Sequence, residues 1–306
     1  MNKRDFPKVH FYDQDFVDIY DRTWSFIQDF LFNVKTEKGG TESFFLYPDP
    51  NGWFLNQVET ILSSFFFVYS NRNYNANQGL DFFYAHQEES GAIRARYNVE
   101  TGAPVLSDDN PEGVGLPLFA WAEYNMFHKT ANKKRVKDVM PVLTRYMKWL
   151  EASFKRPNGL YCVPLAAVGM YNVPRDKAAY LVDFNAALAL NALYMSALGD
   201  ILNDKELSFQ YKRVYFTLKT RINDLMWNEE TGFYHDIDAD EQQLPQKTIA
   251  GFWPLLAEIP NEDKAEHLSA HLLNPETFGS DHPIPCLSMD DPAYDEHGMG
   301  ARGSVF

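Results

Sequence analysis

The sequence predicts an all-α fold: an (α/α)6-type toroid in which apolar inner helices are enclosed by amphipathic outer ones. Three observations carry that expectation. Apolar and amphipathic segments alternate along the 306 residues. A glycine turn recurs at Gly91, Gly159 and Gly232, spaced 68 and 73 residues apart, so the unit is about 70 residues, one outer plus one inner helix. Connections from inner to outer helices are tiny, as at Asn203-Asp204, whereas those from outer to inner helices are long, as at 155–182 and 227–247. In an up-and-down ring all the long loops then share one face, and long loops on a rigid scaffold are where function concentrates.

Taken in order, residues 15–32 carry Phe16, Ile19, Tyr20, Trp24, Ile27 and Leu31 at steps of three and four, with Asp18, Arg22 and Asp29 between them. That period is an amphipathic helix. After a loop rich in Gly and Pro, residues 54–69 include Ile61, Leu62, Phe65, Phe66, Phe67 and Val68, which leave little polar surface and predict a buried helix. Residues 75–86 are half polar and 116–128 largely apolar, while 132–154 are amphipathic through Val136, Val139, Leu143, Met147 and Leu150. Residues 183–202 are apolar on nearly every side. A helix of that kind must be wrapped by protein, so this stretch, with the polar turn before it, is the expected wall of a pocket. Residues 205–226 are amphipathic, 248–257 apolar and 262–272 amphipathic. No run of strands is expected among them. The result is five outer and four inner helices, with Arg302 to Phe306 placed where a fifth inner helix would begin. One toroidal domain spanning 1–306, lacking its last helices, is the expectation.

Composition narrows the function. A formal charge of −14 leaves no surplus of lysine and arginine for phosphate, which argues against nucleic acid or anionic lipid and favours a neutral ligand. Cys162 and Cys286 are too few for a disulfide framework and suit no zinc ribbon. The first residues lack the apolar run of a signal peptide, and no later stretch is long and uncharged enough to span a bilayer. A cytoplasmic protein is expected.

The long loops hold polar and aromatic residues that an apolar core does not require. Trp53, Asn56, Gln57 and Glu59 stand at the start of the first inner helix, and Glu112 and Trp121 around the second. Tyr171, Asn172, Arg175, Asp183 and Asn185 surround the third, Tyr234, Lys247 and Trp253 the fourth, and Arg302 the fifth. Aromatic plates combined with amide, carboxylate and guanidinium groups suit a carbohydrate, whose rings offer C–H faces for stacking and hydroxyls for hydrogen bonds. His267 and His271 are four apart, but the glutamate placement of a zinc protease is missing. Asp236-Ile237-Asp238-Ala239-Asp240 begins like a calcium loop, yet Glu241 and Lys247 occupy the positions of the turn glycine and the bidentate glutamate, so a solvated loop is expected. No metal and no cofactor are expected.

The turn Gly169-Met170-Tyr171-Asn172-Val173-Pro174-Arg175, followed by Val182-Asp183-Phe184-Asn185-Ala186, resembles the signature of the α/α-toroid glycoside hydrolases related to trehalase, mannosylglycerate hydrolase and processing α-glucosidase. Leu116 to Ala122, Met226-Trp227-Asn228 with Gly232-Phe233-Tyr234, Thr248 to Leu255, and Arg302 to Val305 continue the resemblance in the same order. It implies inverting hydrolysis by two carboxyl groups on opposite sides of the bond, about 6.5–9.5 Å apart. The family's general acid is an aspartate directly before the asparagine of the turn, where this chain has Tyr171. A phenol, with an ordinary pKa of about 10, is a poor donor to a sugar leaving group. The family's general base lies beyond the segment matching Arg302. Asp183 is the first substitute for the acid, and helix capping is its alternative role; Asp176, Glu59 and Glu112 are other mouth carboxylates. Three functions stay open. The first is a glycosidase acting on an α-linked disaccharide or short oligosaccharide, and the second is a sugar-binding or regulatory relative that has lost the acid. The third is a sugar epimerase using His235 and His282.

Overall fold

A computed structural model describes residues 8–70, 74–169, 173–280, 284–297 and 303. Nine α-helices are seen among them, α1 (Gln14–Asp29), α2 (Gln57–Phe67), α3 (Gln78–Ala85), α4 (Phe119–Thr130), α5 (Lys133–Phe154), α6 (Val182–Leu202), α7 (Lys205–Leu225), α8 (Trp253–Leu256) and α9 (Glu262–Leu273). The inner series is α2, α4, α6 and α8, with α6 packed against both α4 and α8 and backed by α7. Helix α6 is the hub. Its side chains from Val182 to Ala192 are all buried, which the absence of any polar face required.

The two shortest connections show how the chain reverses. Ala131 after α4 and Asn203 after α6 adopt left-handed φ values of 53° and 60°. The next residue in each case caps the following helix, with Asn132 accepting from the Arg135 amide at 3.1 Å and Asp204 from the Leu207 amide at 3.0 Å. A left-handed C-terminal residue joined directly to an N-cap is the tightest way to turn one helix into an antiparallel neighbour. Close packing follows. A Cβ added to Gly199 of α6 would lie 2.8 Å from the Ser208 amide nitrogen of α7, so only glycine lets these two backbones approach.

The long connections are stitched to one another, which places them at one end of the ring. They contain the short strands that the helical periodicity did not predict. Strands β1 (Leu31–Lys35) and β2 (Thr41–Phe45) form a hairpin, and β3 (Pro48–Asp49), β4 (Gly52–Asn56) and β5 (Arg96–Asn98) a small sheet that ties the first long loop to the second. Strands β6 (Trp227–Asn228) and β7 (Phe233–Tyr234) close the turn after α7. Tyr180 bridges Ile237 between the third and fourth long loops, and Thr248 bridges Leu287 between the fourth and the segment after α9.

Helix α1 departs from expectation in which face it buries. Only Trp24 and Ile27 are enclosed, whereas Phe16, Ile19 and Phe26 are exposed, and with Leu62 of α2 they line an apolar groove between α1 and α2. The amphipathic period was correct, but periodicity does not say whether the apolar stripe is covered. Among the described residues no helix is long and apolar enough to cross a membrane.

Candidate functional site at the mouth of the ring

Each inner helix presents its N-terminal turn to the stitched end, so the first residues of α2, α4, α6 and α8 form a mouth. The predicted site residues divide there into two groups. Trp53, Asn56, Trp121 and Trp253 are half-buried and Glu59 is exposed. Trp53 packs on Phe32 at 4.7 Å between ring centroids, and Trp121 meets Phe65 edge-on at 4.8 Å. Asn56 donates to Glu59 at 2.9 Å and so fixes that carboxylate on the first turn of α2. These side chains have surface left for a ligand.

The second group is buried and holds the loops. Gln57 donates to the Leu116 carbonyl at 3.0 Å and the Tyr146 hydroxyl at 3.3 Å, joining α2 to the second long loop and to α5. Asn185 donates to the carbonyls of Tyr161 and Leu181 and accepts from the Tyr161 amide at 2.8 Å, fastening the start of the third long loop to α6. The Tyr234 hydroxyl donates to Asn223 at 2.8 Å. Burial demands such partners of an amide or phenol, and the side-chain oxygen of Gln57 is the exception, enclosed without one among the described residues.

Arg175 and Asp183 belong to the same group, and they have a partner that sequence reasoning did not connect to them. Arg175, 1% exposed, forks onto Asp183 with two bonds of 2.9 Å and onto Asp236 with bonds of 2.7 and 3.0 Å. Asp236 also accepts from the Val182 amide at 2.8 Å and Asp183 from the Phe184 amide at 3.0 Å, so both carboxylates sit on the N-terminal amides of α6, where the helix dipole favours negative charge. Burial alone would lower the Arg175 pKa, but the two carboxylates outweigh it and raise the value. The triad locks the third long loop, the fourth long loop and α6 together. In the segment expected to be a solvated loop, Asp236 and Ile237 are therefore buried, whereas Ala239 and Asp240 are exposed. Sequence carries no signal for this pairing, because Arg175 and Asp236 lie 61 residues apart.

Glu112 is not at the mouth group. It pairs at 3.0 Å with Arg94, which also binds Glu88 and stands over Trp149 of the outer helix α5. Asp176 is exposed. His235 is buried between the Thr231 hydroxyl at 2.8 Å and the Gln246 carbonyl at 3.2 Å, and burial lowers its pKa. Lys247 forms an ion pair with Asp290; burial alone would raise that carboxyl, but Lys247 and Ser288 outweigh it and hold it below the usual range. Val173 packs with Cys286 and Leu287, and the Ile249 amide donates to the Cys286 carbonyl at 2.8 Å, so the end of the signature turn meets the fourth long loop and the segment after α9. Tyr171, Asn172, His282 and Arg302 lie outside the described residues. Among the described residues no group of three or more histidine, cysteine or acidic side chains is placed to hold a metal.

This arrangement of inner and outer helices has solved counterparts. The crystal structure of mannosylglycerate hydrolase from Thermus thermophilus in complex with glucose matches with a TM-score of 0.73 at 17% identity, over 93% of this chain and 82% of that one. Residues 171–304 match the mannosylglycerate hydrolase MGH1-like glycoside hydrolase domain. The fold is an α/α toroid, and residues 171–304 of it carry the likeness to that glycoside hydrolase domain. The same Thermus enzyme in complex with Tris and D-glycerate matches the toroid at a TM-score of 0.71 and 17% identity, over 93% of this chain and 83% of that one. A rhamnosidase from Klebsiella oxytoca with rhamnose bound matches at 0.65 and 17% identity, over 88% of this chain and 49% of that one. An uncharacterized protein of Borreliella burgdorferi is 47% identical over all 306 residues, and the toroid chain spans 64% of that relative's length.

Proposed function

We propose that the mouth of this toroid binds an α-linked disaccharide or short oligosaccharide, and that Asp183 positions the mouth loops rather than donating a proton to the sugar. The observation that carries this reading is the Arg175 fork. Both oxygens of Asp183 accept from the guanidinium, and the residue is 1% exposed, so a leaving-group oxygen would have to displace Arg175 to reach it. With Tyr171 at the family's acid position, a protein that holds its glycoside intact is the function that the described geometry supports best. Trp53, Trp121 and Trp253 are its stacking surfaces and Asn56 with Glu59 its polar contacts. A neutral ligand suits a chain with a net charge of −14, and two cysteines, too few for a disulfide framework, suit a cytoplasmic setting.

Inverting hydrolysis is the second reading, and Glu59 favours it. That carboxylate is exposed on the first turn of α2, beside the groove between α1 and α2, and Asn56 orients it, as a group acting on bound sugar requires. Calorimetry on a panel of α-linked disaccharides, followed by anomer-resolved NMR of the same mixtures, separates the two. Saturable binding with the disaccharide recovered intact supports the first; release of the β-anomer supports the second.

A further inference from the structure

The outer wall carries a second concave surface, between α5 and α7 and beside the recurring turn at Gly159. Its volume is about 530 Å³, within the range that encloses a small ligand. Two observations distinguish it from an ordinary groove between helices. Phe209 of α7 lines it and is 63% exposed, a flat apolar face held in solvent by an otherwise amphipathic helix. Tyr161 also lines it and is 3% exposed, yet no hydrogen bond engages its hydroxyl among the described residues. Its ring is enclosed, but its hydroxyl is not one of the enclosed unpartnered polar atoms, so the oxygen keeps access to the groove.

The remaining lining decides the ligand class. Glu151 is paired with Lys155 at 2.7 Å, and Glu206 and Arg213 add one charge of each sign without pairing among the described residues, so the lining carries no net charge. Balanced charge favours neither phosphate nor an amine. Gln210 adds a side-chain amide with no partner among the described residues. An aromatic plate, a phenol, an amide and charged groups of balanced sign around a groove of no net charge are what a pyranoside requires, with C–H faces on the ring and hydroxyls on the polar fringe. The geometry points to a second carbohydrate-binding surface on the outer wall, in which Phe209 stacks on a pyranoside ring and the Tyr161 hydroxyl bonds one of its hydroxyls. It does not depend on the mouth being a binding or catalytic site.

The test replaces Phe209 by 4-fluorophenylalanine and follows its ¹⁹F resonance while methyl α-mannopyranoside or methyl α-glucopyranoside is added to the full chain. A saturable shift is expected, absent when the label is at Phe216, which is exposed on the same helix but does not line the groove. Tyr161→Phe should weaken the titration about tenfold, the scale of one hydrogen bond, without changing the melting temperature, because the hydroxyl has no protein partner to lose. Trp121→Ala, in the mouth, should leave the shift at position 209 in place. No shift at saturating glycoside, an unchanged titration in Tyr161→Phe, or a larger response to inorganic phosphate than to either glycoside would each overturn the assignment.

Discussion

Removing the Arg175 guanidinium should destabilise this protein more than removing the charge of Asp183, and the difference follows from the charges left behind. The triad is one cation between two carboxylates, all three buried. Arg175→Met leaves Asp183 and Asp236 facing each other without a counter-ion. Breaking a buried pair by deleting one partner costs about 3–5 kcal/mol, and here the deleted partner serves two anions, so the upper end, about 5 kcal/mol, applies. Asp183→Asn leaves Arg175 neutralised by Asp236 and keeps one acceptor oxygen, so the loss is about 1.5–3 kcal/mol, that of a bond to a charged group. Urea unfolding at neutral pH reads both values as shifts in midpoint at constant slope. Hydrogen exchange adds a local readout, since the amides of Ala179, Tyr180 and Ile237, paired across the two clamped loops, should exchange faster in Arg175→Met. Equal stabilities in the two variants, or an Asp183→Asn protein as stable as the parent that had lost a glycoside hydrolysis the parent performs, would refute the clamp and return Asp183 to the role of acid.

Two further outcomes follow from the same packing. Burial depresses the His235 pKa, so between that folded value and about 6.5 the unfolded chain binds a proton that the folded chain does not. Stability should therefore be complete above about pH 6.5 and decline below it; His235→Gln should reduce the decline by up to about 1.4 kcal/mol per pH unit, measured as the difference between urea midpoints at pH 7 and 5. Gly199→Ala tests the approach of α6 to α7. Helix propensity alone would favour alanine by about 1 kcal/mol, but its Cβ would lie 2.8 and 3.0 Å from backbone atoms of Ser208. Overpacking of that kind costs about 1–3 kcal/mol, so the variant should melt below the parent; a higher melting temperature would show that α7 yields.

The architecture was legible because it rests on period and composition. Helix α6 has no polar face, and its predicted span, 183–202, differs from the observed helix by one residue. Strands were missed where a short segment continued the preceding helical stripe. Leu31 falls on the apolar face of α1, so period alone carries the helix to Phe32, whereas the chain turns at Phe30 and pairs Leu31 with Phe45. Phe54 was absorbed into α2 for the same reason, since five residues of β4 do not separate a period of two from one of 3.6. The division of the expected mouth residues into buried clamps and half-exposed side chains was not legible in the sequence. Gln57 and Asn56 are adjacent amides, one buried in a clamp and the other turned to Glu59, and their chemistry does not distinguish them. Asp183 and Glu59 are both carboxylates in the first turn of an inner helix, and only the position of Arg175 removes one of them from the solvent-facing site.

The claim that the mouth holds an intact α-linked glycoside is tested most directly by adding α-linked disaccharides and mannosylglycerate to the protein in a calorimeter and recovering the sugar afterwards. At least one ligand should bind saturably. Trp121→Ala should weaken that binding about fivefold, the scale of losing one stacked aromatic contact of about 1 kcal/mol, and NMR should return the ligand uncleaved. No saturable binding of any of these ligands, binding indifferent to Trp121, or recovery of the free β-anomer would contradict it.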